Sequence, residues 1–398
     1  MGCGIMTEIK VDNIVNLAGT GKPNFPVSPT VGASGSALST LNTYSYTSSA
    51  TEPSSPKNGA LWWDSANDKV FVYIAGEFKE IELGTAYSSG IAWGGDRGVF
   101  AGGDEGSGSV NRIQYIDITT PGNSSDFGDL TQNTPWGSGA SSTARGLYLG
   151  GWPSSTPTNV IQYVTISTPG NATDFGDLAA AFYYGTSCSD GTRAFSFGGY
   201  NNSTATLLNN IQQTVIATTG NATDVGDISV PSYFNASCSD ATRAVVAVGR
   251  TRETATSGSF SYVNTMEYIT TASAGNSTDF GDQTDSKGLL AACSDSTRGL
   301  FAGGSDASSV RTDTIDYITI QTAGNAADFG DLSQTNNRNS ACANATRGVI
   351  GGGFTVTGSV SRVNTIEYVT IQTPGNATDF GDLAAINYGL SAFSGNPS

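Results

Sequence analysis

Residues 174–199 read Asp-Phe-Gly-Asp-Leu-Ala-Ala-Ala-Phe-Tyr-Tyr-Gly-Thr-Ser-Cys-Ser-Asp-Gly-Thr-Arg-Ala-Phe-Ser-Phe-Gly-Gly, and variants of this stretch recur along most of the chain. From the first Asp of the tetrapeptide to the following repeat Arg there are always 19 residues: Asp126 to Arg145, Asp174 to Arg193, Asp224 to Arg243, Asp279 to Arg298 and Asp328 to Arg347. The complementary half, from Arg97, Arg145, Arg193, Arg243, Arg298 or Arg347 to the next tetrapeptide, runs 29 to 36 residues. A constant half and an elastic half describe units that stack in register while one loop varies. The period of 48 to 55 residues suits an all-β, blade-type repeat and not a helical solenoid.

Each unit offers four short strands. In the third, these are Tyr184–Cys188, Arg193–Phe197, Asn210–Ile216 and the stretch from Asp224 to Ile228. The second strand ends in paired glycines, Gly102-Gly103, Gly150-Gly151, Gly198-Gly199, Gly303-Gly304 and Gly351-Gly352, which allow a turn and close backbone approach. The third strand alternates, as in Ile315-Asp316-Tyr317 and Ile366-Glu367-Tyr368, which predicts one buried and one wet face. Upstream, Leu61–Asp64, Val70–Ile74 and Phe78–Ile81 read as a three-stranded meander. Downstream, Tyr388-Gly389-Leu390-Ser391-Ala392 matches Tyr184-Gly185-Thr186-Ser187-Cys188, a first strand with no unit of its own. The expectation is a β-propeller of seven blades, six continuous and one composite from residues 60–83 plus 388–394, which hides both sheet edges. The competing arrangement has six blades and a separately folded meander. Residues 1–59, Ser/Thr/Gly/Pro-rich from 27 onward, read as an extended arm and linker, and residues 60–398 as the propeller.

Composition removes several function classes. The net charge is -16 without any run of Lys or Arg, which disfavours nucleic acid as a partner. There is no histidine, so imidazole-dependent hydrolases and His-ligated metal sites are excluded, while paired-carboxylate chemistry stays open. Cys188, Cys238, Cys293 and Cys342 each stand five residues before a repeat Arg, where Ala92 and Ala140 stand elsewhere, so the position calls for a small buried group and not a disulfide. No segment has a signal-peptide or membrane-spanning pattern, and no membrane insertion is expected. The sequons at Asn171, Asn221 and Asn376 share one repeat position, which points to turn chemistry.

The strand order, the Gly-Gly periodicity and the tyrosine of strand three resemble Kelch-type propeller repeats over residues 84–394, with Phe127, Phe175, Phe280, Phe329 and Phe380 where that family often has tryptophan, and Val225 as the exception. The N-terminal run Val11-Asp12-Asn13-Ile14-Val15-Asn16, the segment Gly19–Phe25 and the stretch Asn58-Gly59-Ala60-Leu61-Trp62-Trp63-Asp64 are similar to segments of tailed-bacteriophage structural proteins. That resemblance implies a virion component, assembled in the host cytoplasm. Its residues 1–59 would dock on other virion proteins, and its propeller would meet a host surface glycan or protein. The expected role is a non-enzymatic tail-fibre or appendage adhesin. The alternatives are a capsid decoration or connector protein and a carboxylate-based glycan hydrolase. Self-association stays open.

The Asp-Phe-Gly-Asp tetrapeptides read first as turns, with calcium ligation as the second option; a kinase-type metal site lacks its His-Arg-Asp partner. The recurring arginines either form an anion-gripping ring or, the preferred reading, tie to Asp or carbonyls at junctions between units. Binding is expected in the elastic loops Tyr200–Asn209, Arg250–Val263 and Phe354–Val363, where Arg250, Arg252, Phe260 and Tyr262 combine planar cations with aromatics. No catalytic residue, metal site or cofactor is nominated.

Overall fold

The computed structural model describes residues 94–397 except 154, 253 and 358, together with 46–49, 51, 53–54, 60–64, 69–74 and 77–81. The chain divides into two compact units, residues 1–87 and 88–398. No helix occurs among the described residues.

In the first unit, Leu61–Asp64, Lys69–Ile74 and Glu77–Ile81 form the expected antiparallel meander. The Trp62 ring stacks on Phe71 at 4.8 Å and meets Phe78 edge-on at 5.3 Å, which gives this small sheet its own aromatic core. Tyr46–Ser49, expected within an irregular linker, is a strand that pairs in parallel along Leu61–Asp64. The free edge of the meander is therefore taken from within the first unit. The compact units divide at 87/88, where 59/60 was expected, and the described strands Leu61–Asp64, Lys69–Ile74 and Glu77–Ile81 share no sheet with the described repeats. Most of the arm, residues 1–45, lies outside the described residues.

The second unit is all-β and propeller-like, with six four-stranded antiparallel sheets. The third sheet, Thr186–Ser189, Arg193–Asn201, Thr206–Val215 and Thr223–Asp227, matches the reading of the sequence closely. The terminal strand departs from expectation: Ser391–Gly395 pairs antiparallel with Arg97–Ala101, Phe393 opposite Val99, and not with residues 60–66. A seventh sheet composed of 60–83 and 388–394 is therefore not formed. The register also differs by one residue from the sequence match. Phe393, not Ala392, occupies the Cys188 position, and Ala92 lies outside the described residues.

Adjacent sheets pack face to face. Val99, Ile113 and Phe127 of the first sheet share a cluster with Tyr148, Val164 and Ile166 of the second. The pattern continues sheet by sheet until Val349, Ile366 and Phe380 of the sixth meet Phe100, Ile116 and Ile118 of the first. Because neighbours cover both faces of each sheet, the wet face predicted for strand three does not exist: Asp316 and Glu367 are buried. Such groups must be hydrogen-bonded. Gln114, Gln162, Gln212, Glu267, Asp316 and Glu367 all stand at this position, and each accepts a bond from a backbone N–H of the preceding unit, Ala384, Thr131, Ala180, Ser229, Thr284 and Ser333 respectively.

The tetrapeptide and the sequon form one inter-sheet latch. Gly176 adopts φ +144°, and a Cβ there would stand 2.5 Å from the Gly220 carbonyl oxygen of the next unit, so only glycine fits. Beside it the Asp177 N–H donates to Asn221 Oδ1 at 3.0 Å. The same bond links Asp129 to Asn171, Asp227 to Asn276, Asp282 to Asn325, Asp331 to Asn376 and, across the termini, Asp382 to Asn123. The sequon asparagines thus serve turn chemistry, as their spacing suggests.

The left-handed glycine pair in the last unit is Gly352-Gly353, one residue later than the sequence suggested, because Gly351 still belongs to the strand. The four cysteines are free and buried, and they pack where the following unit carries a small residue. A Cβ on Gly98 would stand 2.8 Å from the Cys342 sulfur, for example. Burial pushes the Cys188 and Cys293 thiols from 9.0 up to about 12. Native protein at pH 8 is therefore expected to leave these thiols unmodified by maleimide, with labelling only in denaturant, as mass spectrometry will read. Folding stability from these thiols is complete below about pH 9 and falls as pH climbs toward 12, because the unfolded thiols ionise first. Native labelling in minutes, or stability flat across that range, is the contrary result.

Candidate binding face

One backbone position recurs just before strand one in every unit, and it is left-handed throughout. Trp136, Tyr184, Phe234, Leu289, Arg338 and Gly389 have φ of 60°, 58°, 63°, 62°, 57° and 65°. A bulky residue in this region costs about 1–3 kcal/mol and persists only where surrounding structure enforces it. The enforcing structure is a ring of backbone hydrogen bonds. Trp136 donates its N–H to Gly389, Tyr184 to Trp136, Phe234 to Tyr184, Leu289 to Phe234, Arg338 to Leu289 and Gly389 to Arg338, at 2.7 to 3.0 Å. Glycine is needed at 389 because the Trp136 indole lies within 2.2 Å of where its Cβ would stand.

Beneath this ring is a cavity of about 120 Å³, walled by the first strands of all six sheets. A second cavity of about 70 Å³ lies among the same strands further along, lined by small residues including the four cysteines. Here serine hydroxyls satisfy neighbouring carbonyls: Ser141 donates to Ser394, Ser239 to Ser189 and Ser294 to Ser239, at 2.7 to 2.8 Å.

The elastic loops build the rim. Arg250–Arg252 pairs with Phe260–Tyr262 and with Ser232–Tyr233 as a small three-stranded sheet. All four residues nominated from sequence therefore sit together. The Arg250 guanidinium lies over Phe260 at 4.4 Å and Tyr262 at 5.5 Å, and donates to the Tyr233 hydroxyl at 2.8 Å. Arg252 also lies over Phe260, at 3.9 Å. Stacking of this kind holds planar cations flat against rings. The other two elastic loops also become hairpins, Arg193–Asn201 with Thr206–Val215 and Phe354–Thr357 with Ser359–Arg362.

Between the rim and the ring runs a tract of aromatics that no spacing rule had flagged. Trp136 contacts Trp152 at 5.5 Å and Tyr184 at 5.0 Å, Trp152 contacts Tyr183 at 4.4 Å, and Tyr233 contacts Phe234 at 4.1 Å. Burial, then the neighbouring Tyr200 and Tyr233 phenols, pushes Tyr183 up to about 12. Burial also raises Tyr233 and Tyr262, against the lowering effect of the Arg250 charge. These phenols stay neutral donors at any physiological pH.

Across the mouth the character changes. Arg311, Arg338 and Arg362 bring their guanidinium carbons to 4.9, 5.5 and 5.8 Å from the Phe354 ring centre. Arg338 and Arg362 also lie 5.7 and 5.0 Å from the Tyr388 ring centre. Phe354 and Arg362 lie in the nominated loop Phe354–Val363, whereas Arg311, Arg338 and Tyr388 were not nominated by the sequence reading. A usable signal was present, since Trp136, Tyr184, Phe234, Leu289 and Arg338 each stand nine residues before a repeat arginine.

The repeat arginines do something else. Arg97 donates to the Ile166 and Ser167 carbonyls at 2.8 Å, and Arg347 to those of Ile118 and Thr119 at 3.0 and 2.7 Å, each reaching the next unit. Their guanidinium groups lie over Tyr115 and Tyr368 at 4.8 and 4.7 Å. Arg193, which lacks that tyrosine, pairs with Asp190 at 2.6 Å instead. This is the junction role, in which one guanidinium nitrogen, Nη1, bridges two carbonyls of the next unit. Among the described residues no group of three or more Cys, Asp or Glu is arranged to hold a metal ion.

No protein-family model matches this chain, and a search of curated proteins returns no relative.

Proposed function

We propose that residues 88–398 form a closed, six-bladed, Kelch-like β-propeller, and that the protein is a non-enzymatic adhesin of a tailed-bacteriophage virion. In this reading the first unit docks on other virion proteins, and the face around the left-handed ring meets the host surface. The observation that carries it is the concentration of arginines and aromatics, most of them half-buried, around one end of the repeat array. Stacked arginines and aromatics gather there on variable hairpins held by a constant scaffold, as recognition surfaces are usually built. Strained bulky residues ring the same mouth. The N-terminal motifs supply the virion assignment.

Antibody raised against residues 250–262 tests this on intact particles. It is expected to decorate the distal end of an appendage in electron micrographs and to block adsorption to host cells. Decoration only after particle disruption, or on the capsid with adsorption intact, replaces the adhesin by the decoration or connector role.

A further inference from the structure

We propose that the mouth binds an anionic sugar, with Arg311, Arg338 and Arg362 holding its carboxylate or phosphate and the Trp136–Tyr184 tract receiving the sugar face. This rests on the adhesin reading and names the ligand class. In a chain of net charge -16, three guanidinium groups converge on one phenylalanine and one tyrosine. Among the described residues, the ion pairs are Arg112–Glu105, Arg193–Asp190 and Lys287–Asp316, and none involves these three arginines. The Nε atoms of Arg338 and Arg362 are buried from solvent and meet no acceptor.

Burial, and then the positive charge of Arg338, lowers the Arg311 pKa, so both desolvation and a like charge disfavour the free cation here. Gathering uncompensated cations is costly, and an anion that enters relieves the cost while satisfying both open donors. Flanking guanidinium forks suit an oxyanion with several acceptor oxygens.

The second half of the ligand is dictated by the aromatic members of the same ring. Arg338 and Trp136 both line the cavity of about 120 Å³, and so does Tyr184. The Nε1 of Trp136 is likewise buried without an acceptor. Flat amphipathic rings beside unmet donors fit a pyranose, which offers an apolar C–H face and hydroxyl acceptors on one small body. A nucleic acid is disfavoured by the overall charge, which repels a polyanionic backbone at distance. A single anionic group per sugar escapes most of that repulsion through screening.

Calorimetric titration of the full-length protein with uronate oligosaccharides, sugar phosphates and carboxyl-reduced (neutral) counterparts tests the proposal. Binding of the uronate or the phosphate arm is expected, weakened at least about tenfold by carboxyl reduction or phosphate removal. Arg362→Ala, on a rim hairpin and outside the left-handed ring, is expected to weaken it about tenfold or more with an unchanged melting temperature. Arg362→Lys is expected to recover only part of the loss. Equal affinity for acidic and neutral sugars, binding of neither, or an Arg362→Ala variant with wild-type affinity overturns the proposal. Retained binding of the wild-type protein to host cells beside such a result leaves the adhesin standing and removes only the anionic ligand. Loss of cell binding as well removes both.

Discussion

A chain truncated after Asn387 is expected to lose its cooperative unfolding transition altogether. The missing residues are few, but they supply the first strand of the first sheet and one member of the backbone ring. Without Ser391–Gly395 the strand Arg97–Ala101 becomes an open edge, and such edges invite pairing between molecules. Without Gly389 two links of the backbone hydrogen-bond ring vanish, the bond that Trp136 donates to its carbonyl and the bond that its own N–H donates to Arg338. Phe393 leaves a hole against Gly146, whose Cβ would otherwise stand 2.0 Å from its ring. Together these effects are comparable with the whole net stability of a domain, about 5–15 kcal/mol. Urea unfolding followed by tryptophan fluorescence is expected to show a shallow, non-cooperative change and aggregation at low denaturant. The single change Phe393→Ala isolates the packing part and is expected to cost about 3–5 kcal/mol with the strand retained. A truncated protein that keeps the full-length midpoint and slope means the terminal strand is an accessory and the six sheets hold without it.

The terminal strand also shows what was legible in advance. Its identity as a first strand without a unit was readable from Tyr388 to Ala392 alone, because spacing is a property of the chain. Its partner was not, since residues 60–66 and 97–101 are both apolar runs that lack a first strand locally. The choice is made by Tyr46–Ser49, which fills the meander's edge; its Tyr and Thr suit a strand, but the Ser/Thr/Gly/Pro-rich run around it reads as linker. The one-residue shift that places Phe393, and not Ala392, opposite Val99 follows from pairing Phe393 with the smallest neighbour available, Gly146, and that is a long-range fact. Strand three failed for a related reason. Alternation of Ile315, Asp316 and Tyr317 implies a wet face only if nothing covers it, and here a second sheet does.

The candidate site was half legible. Arg250, Arg252, Phe260 and Tyr262 stood out because they share one long loop, and strand pairing places them together. Arg311, Arg338 and Arg362 come from three different segments, so no local window contains them. The left-handed ring hid in plain view, nine residues before the repeat arginines in five of the six units. Its residues differ in every unit, tryptophan, tyrosine, phenylalanine, leucine, arginine and glycine, and a search for repeated identities passes over a position whose shared property is backbone conformation.

The second large effect is expected from Lys287→Met. Five of the six buried strand-three positions carry Gln or Glu, whose length lets the side chain reach the backbone N–H of the preceding unit at 2.6 to 2.9 Å. Asp316 is one methylene shorter, and its bond to the Thr284 N–H stretches to 3.4 Å, with the Thr284 hydroxyl at 2.7 Å making up part of the deficit. Lys287 supplies the rest: its Nζ lies 3.1 Å from Asp316 Oδ2, with the lysine 2% and the aspartate 0% exposed. The contact is an ion pair rather than a directed hydrogen bond, so charge is its main currency. Removing the lysine leaves a fully buried carboxylate without its counter-ion, which typically costs about 3–5 kcal/mol. Asp316→Gln on top of Lys287→Met restores the arrangement of the sibling units and is expected to return most of that loss, because a neutral amide needs no counter-ion. Equilibrium urea unfolding of the wild type, the single variant and the double variant measures the cycle. A Lys287→Met variant within about 1 kcal/mol of wild type, or a double variant no more stable than the single one, means the carboxylate is already satisfied without the lysine and the pair adds nothing.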